Sequence, residues 1–173
     1  MMRVFIAYTL SDSFKQSLML ETAALRKNHP DFRWTPEQNL HITLAFLGDI
    51  DEAGVLLLAE ILEEKVPGTP KIKIRTYTVF TLPRYGNANV LALGLGCGEE
   101  EIKMTAHYIA GRMEQFTNER RYSFRAMEKR PFNAHLTLAR KGKAPIRLTQ
   151  DELRPITIES FIEKAVIFQS ELT

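Results

Sequence analysis

The sequence predicts one domain of mixed strands and helices, in the order β-α-β-α-β-β-α-β-β, and three observations carry that reading. Short runs rich in β-branched and aromatic residues alternate with longer segments whose apolar residues recur at helical spacing. The 173 residues are 45% hydrophobic and 25% charged, the balance of a soluble globular chain. No apolar run approaches the ~18 residues of a spanning helix. A chain of this length buries about 70% of its unfolded surface, so its core needs no staple. Cys97, the single cysteine, excludes an internal disulfide framework and a Cys-based zinc site. That fits a reducing compartment, and the expectation is a cytoplasmic protein.

The elements follow in order. Residues 3–8 form a strand; the apolar run 4–10 is too short, and too closely followed by Ser11, Asp12 and Ser13, to be a signal segment. Ser11 offers an N-cap to a helix through residue 28, with Phe14, Leu18 and Leu25 on its apolar stripe and Pro30 preventing continuation. Residues 40–47 form a strand ended by Gly48. Acidic residues open a helix over 51–65, with Val55, Leu58 and Leu62 at helical spacing and Pro67-Gly68 closing it. Strands at 71–80 and 90–96 flank turn chemistry at 83–89. Ile102, Ala106, Ile109, Met113 and Phe116 then draw the cleanest helical stripe in the chain. Strands at 132–139 and 164–170 close the order.

Two of these strands carry nearly one word. Residues 40–44 read Leu-His-Ile-Thr-Leu and residues 134–138 read Ala-His-Leu-Thr-Leu. Alternation puts each His and its Thr on one face, with Ile42, Leu44 and Phe46, or Leu136 and Leu138, on the other. Imidazoles and hydroxyls are costly to bury unpartnered, so their face lines a wet cleft. Histidine titrates near neutrality, so His41 and His135 supply an acid and a base. The hydroxyls of Thr43 and Thr137 donate to anionic oxygens, and the anion best matched is a phosphate diester. A lone His-x-Thr is common in strands; its repetition carries the reading. His107 falls off the apolar stripe of its helix and His29 sits at a helix end, so neither joins this set. Neither motif has a second His or a carboxylate at metal-ligand spacing, so the expectation is that no metal and no cofactor take part.

With these residues in view, the chain resembles the 2H phosphoesterase superfamily and its RNA 2',3'-cyclic phosphodiesterase branch, the 2'-5' RNA ligases. The resembling runs are 3–10, 34–49 with Phe46-Leu47-Gly48 after the first motif, 132–142 with Ala139-Arg140 after the second, and 167–172. Ala134 stands where the family usually has proline. Ala92 stands where it often has tryptophan, which alters how a nucleoside is held. The resemblance implies an α+β fold over residues 1–173. This is a bilobal domain of two pseudo-symmetric halves of antiparallel sheet, with helices outside and a central cleft. It also implies metal-independent hydrolysis of RNA 2',3'-cyclic phosphate ends to 2'-phosphates, with His135 as proton acceptor and His41 as proton donor to the leaving 3' oxygen. The reverse reaction would join ends through a 2'-5' bond without ATP. Competing readings keep the fold but act on a small cyclic nucleotide or a 2'-5' oligonucleotide, or bind RNA without catalysis. The partner expected is thus RNA with a cyclic phosphate end or a cyclic nucleotide, with neither a membrane nor an obligatory protein partner.

Lys and Arg number 23 and Asp and Glu 21, a near-neutral sum that hides its distribution. Arg120, Arg121, Arg125, Lys129, Arg130, Arg140, Lys141, Lys143 and Arg147 face one acid, Glu128, in a block flanking the second motif. Arg140 is the phosphate-binding candidate of this block, and Tyr122 and Phe124 are candidates for stacking a base. The lone Trp34 is ambiguous between packing, the commoner role of such a Trp, and a stacking platform. Six acids between Asp49 and Glu64 offset much of the block.

Overall fold

The computed structural model describes residues 1–64, 71–124 and 132–170. Lys65, Pro67, Gly68, Arg125, Glu128, Lys129, Arg130 and Leu172, all used above, lie outside the described residues. Strands β1 (Met2–Thr9), β2 (Arg33–Trp34), β3 (His41–Ile50), β4 (Ile72–Leu82), β5 (Val90–Cys97), β6 (His135–Arg140), β7 (Glu159–Ile162) and β8 (Ala165–Gln169) form one sheet. Its order is β7-β4-β5-β6-β3-β1-β8, with β2 added beside β6, and every pairing is antiparallel. The sheet divides into β8-β1-β3 and β4-β5-β6 halves with the two motif strands at the centre. The halves meet at one register pair, Ile42 opposite Leu136.

Helices α1 (Asp12–Glu21), α2 (Ala23–Asn28), α3 (Glu52–Glu63) and α4 (Glu99–Asn118) complete the α+β fold. Ser11 caps α1, its Oγ accepting from Phe14 N, as the sequence predicts. The single helix expected through residue 28 is broken at Thr22. Its buried side chain donates to the Leu18 carbonyl at 2.7 Å, competing with the backbone for the last turn. Asp51 caps α3 by accepting from Gly54 N, and the fully buried stripe is Leu58 and Ile61, with Val55 and Leu62 at its margins. Ile102, Ala106, Ile109, Met113 and Phe116 of α4 are all buried. Tyr8, paired with Ile42 in the sheet, donates its hydroxyl to Thr105 of α4 at 3.1 Å, so α4 covers the face opposite the histidines. Among the described residues no helix is long and apolar enough to cross a membrane.

Candidate active site

Each motif strand opens on its histidine. Around the Ile42–Leu136 pair the antiparallel register sets His41 across from Thr137 and His135 across from Thr43. Ile42, Leu44, Leu136 and Leu138 are at most 2% exposed, while the two His and two Thr are half-buried on the other face. The imidazoles are fixed alike. His41 Nδ1 lies 2.7 Å from the Asn39 carbonyl, and His135 Nδ1 lies 2.8 Å from that of Asn133. A carbonyl only accepts, so each Nδ1 carries the proton and donates, leaving each Nε2 to do chemistry. Neither Nε2 has a hydrogen-bond partner among the described residues.

Strict alternation fails at the Leu-Ala step of each strand, and again at Leu47 in β3, and the site depends on the Leu-Ala break. Thr137 pairs with Ala92 but Ala139 pairs with Leu91, leaving Leu138 as an extra residue. This bulge turns Ala139 to the core and brings Arg140, opposite Val90, to the face of His135 and Thr137. In β3, Thr43 pairs with Ala7 and Ala45 with Ile6, leaving Leu44 extra; Phe46, opposite Phe5, then joins the face of His41 and Thr43. Phe46 is 71% exposed, so the expectation that it points to the core with Ile42 and Leu44 is corrected. Both strands carry Leu-Ala after the Thr, the signal in the sequence that marks the shared bulge.

The walls differ. Phe5 and Phe168 stack at 5.1 Å, with the His41 ring 4.9 Å from Phe5 and 5.8 Å from Phe168. They line a cavity of about 230 Å³ with Gln38, Asn39, Gln169 and Ser170. On the other side the Phe80 ring meets His135 edge-on at 6.3 Å. It fills the space above Gly94, the residue paired with His135, where a Cβ would come within 3.2 Å of the ring. Burial pushes the His41 imidazole below its ordinary value. The Asn39 carbonyl opposes that shift, and the nearby charges of Arg140 and His135 add to it.

Of the residues singled out from sequence, the structure thus brings His41, Thr43, His135, Thr137 and Arg140 to one face. Tyr122 and Phe124 are not part of it. Phe124 is buried, and Tyr122 packs on Gly54 of α3 with its hydroxyl accepting from Asp51 N at 3.4 Å. Arg121 binds Glu60 through both carboxylate oxygens at 3.0 and 2.8 Å, fastening the end of α4 to α3. Trp34 packs, its indole donating to the His29 carbonyl at 2.9 Å under Arg26. His29 binds Glu152 at 2.6 Å, and His107 is exposed on α4. Phe5, Phe46, Phe80 and Phe168 are site residues that sequence reasoning missed. Among the described residues no three His, Cys, Asp or Glu gather as metal ligands do.

The model of the LigT-like phosphoesterase family matches residues 10–89. An RNA 2',3'-cyclic phosphodiesterase of Thermotoga maritima is 27% identical over 175 residues, covering 99% of this chain and 88% of that one. A protein of the same name from Archaeoglobus fulgidus is 30% identical over 166 residues, covering 95% of this chain and 86% of that one. A crystal structure of a Thermus thermophilus protein superposes with a TM-score of 0.82 at 24% identity, over 99% of this chain and 90% of the other, and shows the same fold. The paired motifs, the fold and these relatives agree: the chain belongs to the LigT-like family of 2H phosphoesterases.

Proposed function

We propose that this phosphoesterase opens the 2',3'-cyclic phosphate at an RNA end to a 2'-phosphate, with His135 as base and His41 as acid. The observation that carries the reading is the matched pair of imidazoles, each with Nδ1 fixed to a backbone carbonyl two residues earlier and Nε2 left for substrate. His135 Nε2 takes a proton from water as its oxygen attacks phosphorus. The bond from phosphorus to the 3' oxygen breaks, and His41 Nε2–H protonates that oxygen. Thr43 and Thr137 donate to the non-bridging oxygens, and the Arg140 guanidinium neutralises them. The step balances without a metal or a cofactor.

His41 is held toward its uncharged form in the free protein, yet the acid must carry a proton. The phosphate anion brings the opposite charge within reach and favours the imidazolium, so substrate binding charges the acid. Run backwards, the same groups would join a cyclic end to a 5'-hydroxyl. The test is incubation with 2',3'-cyclic AMP in excess EDTA, with the product identified by phosphorus NMR. The reading expects the 2'-phosphate. A 3'-phosphate, or activity lost to the chelator, contradicts it.

A further inference from the structure

Of the basic block read from sequence, Arg140, Lys141 and Lys143 stand at or just after the end of the second motif strand, while Arg125, Lys129 and Arg130 lie outside the described residues. Arg121 is consumed by Glu60, and elsewhere Arg112 pairs with Glu64, Lys71 with Glu163, and Lys73 and Arg75 with Glu159. At the C-terminal end of β6 the pattern changes. Arg140 lies directly across from Arg33 of β2, a like-charge pair that costs stability unless an anion sits over it. Arg33 Nε donates to the Lys141 carbonyl at 3.0 Å, tying the two strands' ends together. From the other side comes the loop between β4 and β5. Lys141 N donates to the Asn89 carbonyl and Ile146 N to that of Ala88, each at 2.8 Å, and so dock the loop on the segment after β6. That loop carries Arg84, whose guanidinium lies 4.8 Å over the Phe80 ring, the ring that abuts His135.

Arg33, Arg84, Arg140, Lys141 and Lys143 are all exposed, and among the described residues none of them has a carboxylate within ion-pair distance. Asp31, near this segment, lends its backbone to packing against Gly142, and its carboxylate pairs with none of them. The rim is continuous with the catalytic face through Arg140 and through the Arg84–Phe80–His135 contact.

We propose that this rim binds the backbone phosphates of the RNA strand leading to the cyclic end, so that the preferred substrate is an oligonucleotide end and not a free cyclic nucleotide. The inference rests on the proposed hydrolase activity and deepens it. A single-stranded polyanion matches Arg33, Arg84, Lys141 and Lys143 as well as Arg140, whereas a mononucleotide engages Arg140 at the catalytic phosphate site and leaves the other four idle.

The experiment measures kcat/KM for 2',3'-cyclic AMP and for a four-nucleotide RNA ending in a 2',3'-cyclic phosphate, over a salt series. The wild-type protein is compared with the double variant Lys141→Glu, Lys143→Glu. Both side chains are exposed, so the thermal melt should be unchanged. The wild-type protein should favour the oligonucleotide, with a salt dependence absent for the mononucleotide. The variant should lose about tenfold on the oligonucleotide alone, with a shallower salt slope. Equal turnover of the two substrates, or equal losses on both in the variant, overturns the rim while leaving the hydrolase reading in place. No wild-type turnover of either substrate overturns the hydrolase reading, and the rim with it.

Discussion

The two motif strands carry the same machinery in different surroundings. In each, a His donates Nδ1–H to the carbonyl two residues earlier, a Thr follows on the same face, and a bulge at Leu-Ala brings the sixth residue, counted from the His, onto that face. The sixth residue is Phe46 in one strand and Arg140 in the other. Around His41 the neighbours are aromatic and amide side chains; around His135 they are Phe80, Arg84 and the basic rim. The shared parts are those a symmetric phosphate needs. The differing parts are those that tell one end of an asymmetric substrate from the other: an apolar side fit for a base and a cationic side fit for a backbone.

Breaking the shared part should cost most. His41→Ala and His135→Ala are each expected to lower kcat on 2',3'-cyclic AMP by about 10² to 10⁴, the usual value of one general acid or base, with the thermal melt nearly unchanged. The double variant should lose less than the product of the two losses, because the residues act as a unit. Arg140→Gln comes next, removing a charged hydrogen bond to phosphate at a cost of about 10- to 100-fold in kcat/KM. It also removes a positive charge that holds His41 down, so the His41 titration followed by NMR should move to higher pH. Phe46→Ala tests the apolar side. Its ring is largely exposed, so stability should hold while KM for a cyclic nucleotide rises roughly fivefold and kcat stays. Gly94→Ala is the mildest. The added methyl meets the Phe80 ring at 3.2 Å, so that ring must give by a few tenths of an ångström. We expect kcat to fall by roughly two- to threefold through His135, with KM unchanged.

Much of this was legible because period and repetition are local properties. The stripe from Ile102 to Phe116 is buried throughout, and the duplicated His-x-Thr words mark the face on which the two imidazoles come together. What was hidden depends on register. Strict alternation sends both Phe46 and Arg140 to the core face, because an inserted residue in a strand has no side-chain chemistry of its own to announce it. The short strand β7 also escaped notice, being four residues held mainly by pairing with β4. Two members of the cationic rim were missed for the same reason. Arg33 and Arg84 lie far from the second motif in sequence and reach it only through the β2–β6 pairing and the docked loop. Tyr122 and Phe124 look like stacking residues among arginines, and only the burial of Phe124 and the packing of Tyr122 on Gly54 of α3 show them to be packing.

The central claim is that the two equivalent imidazoles divide into one acid and one base over a single phosphate. The most direct test is the pH dependence of kcat/KM on 2',3'-cyclic AMP for the wild-type protein and the residual activities of His41→Ala and His135→Ala. The wild type should give a bell, since the base must be neutral and the acid protonated. Because His41 is held below its ordinary value, the falling limb attributed to it should begin below about pH 6.5. His41→Ala should lose that falling limb and keep the rising one, and His135→Ala should do the reverse. Loss of the same limb in both variants, or a profile unchanged by either, would contradict the division of roles.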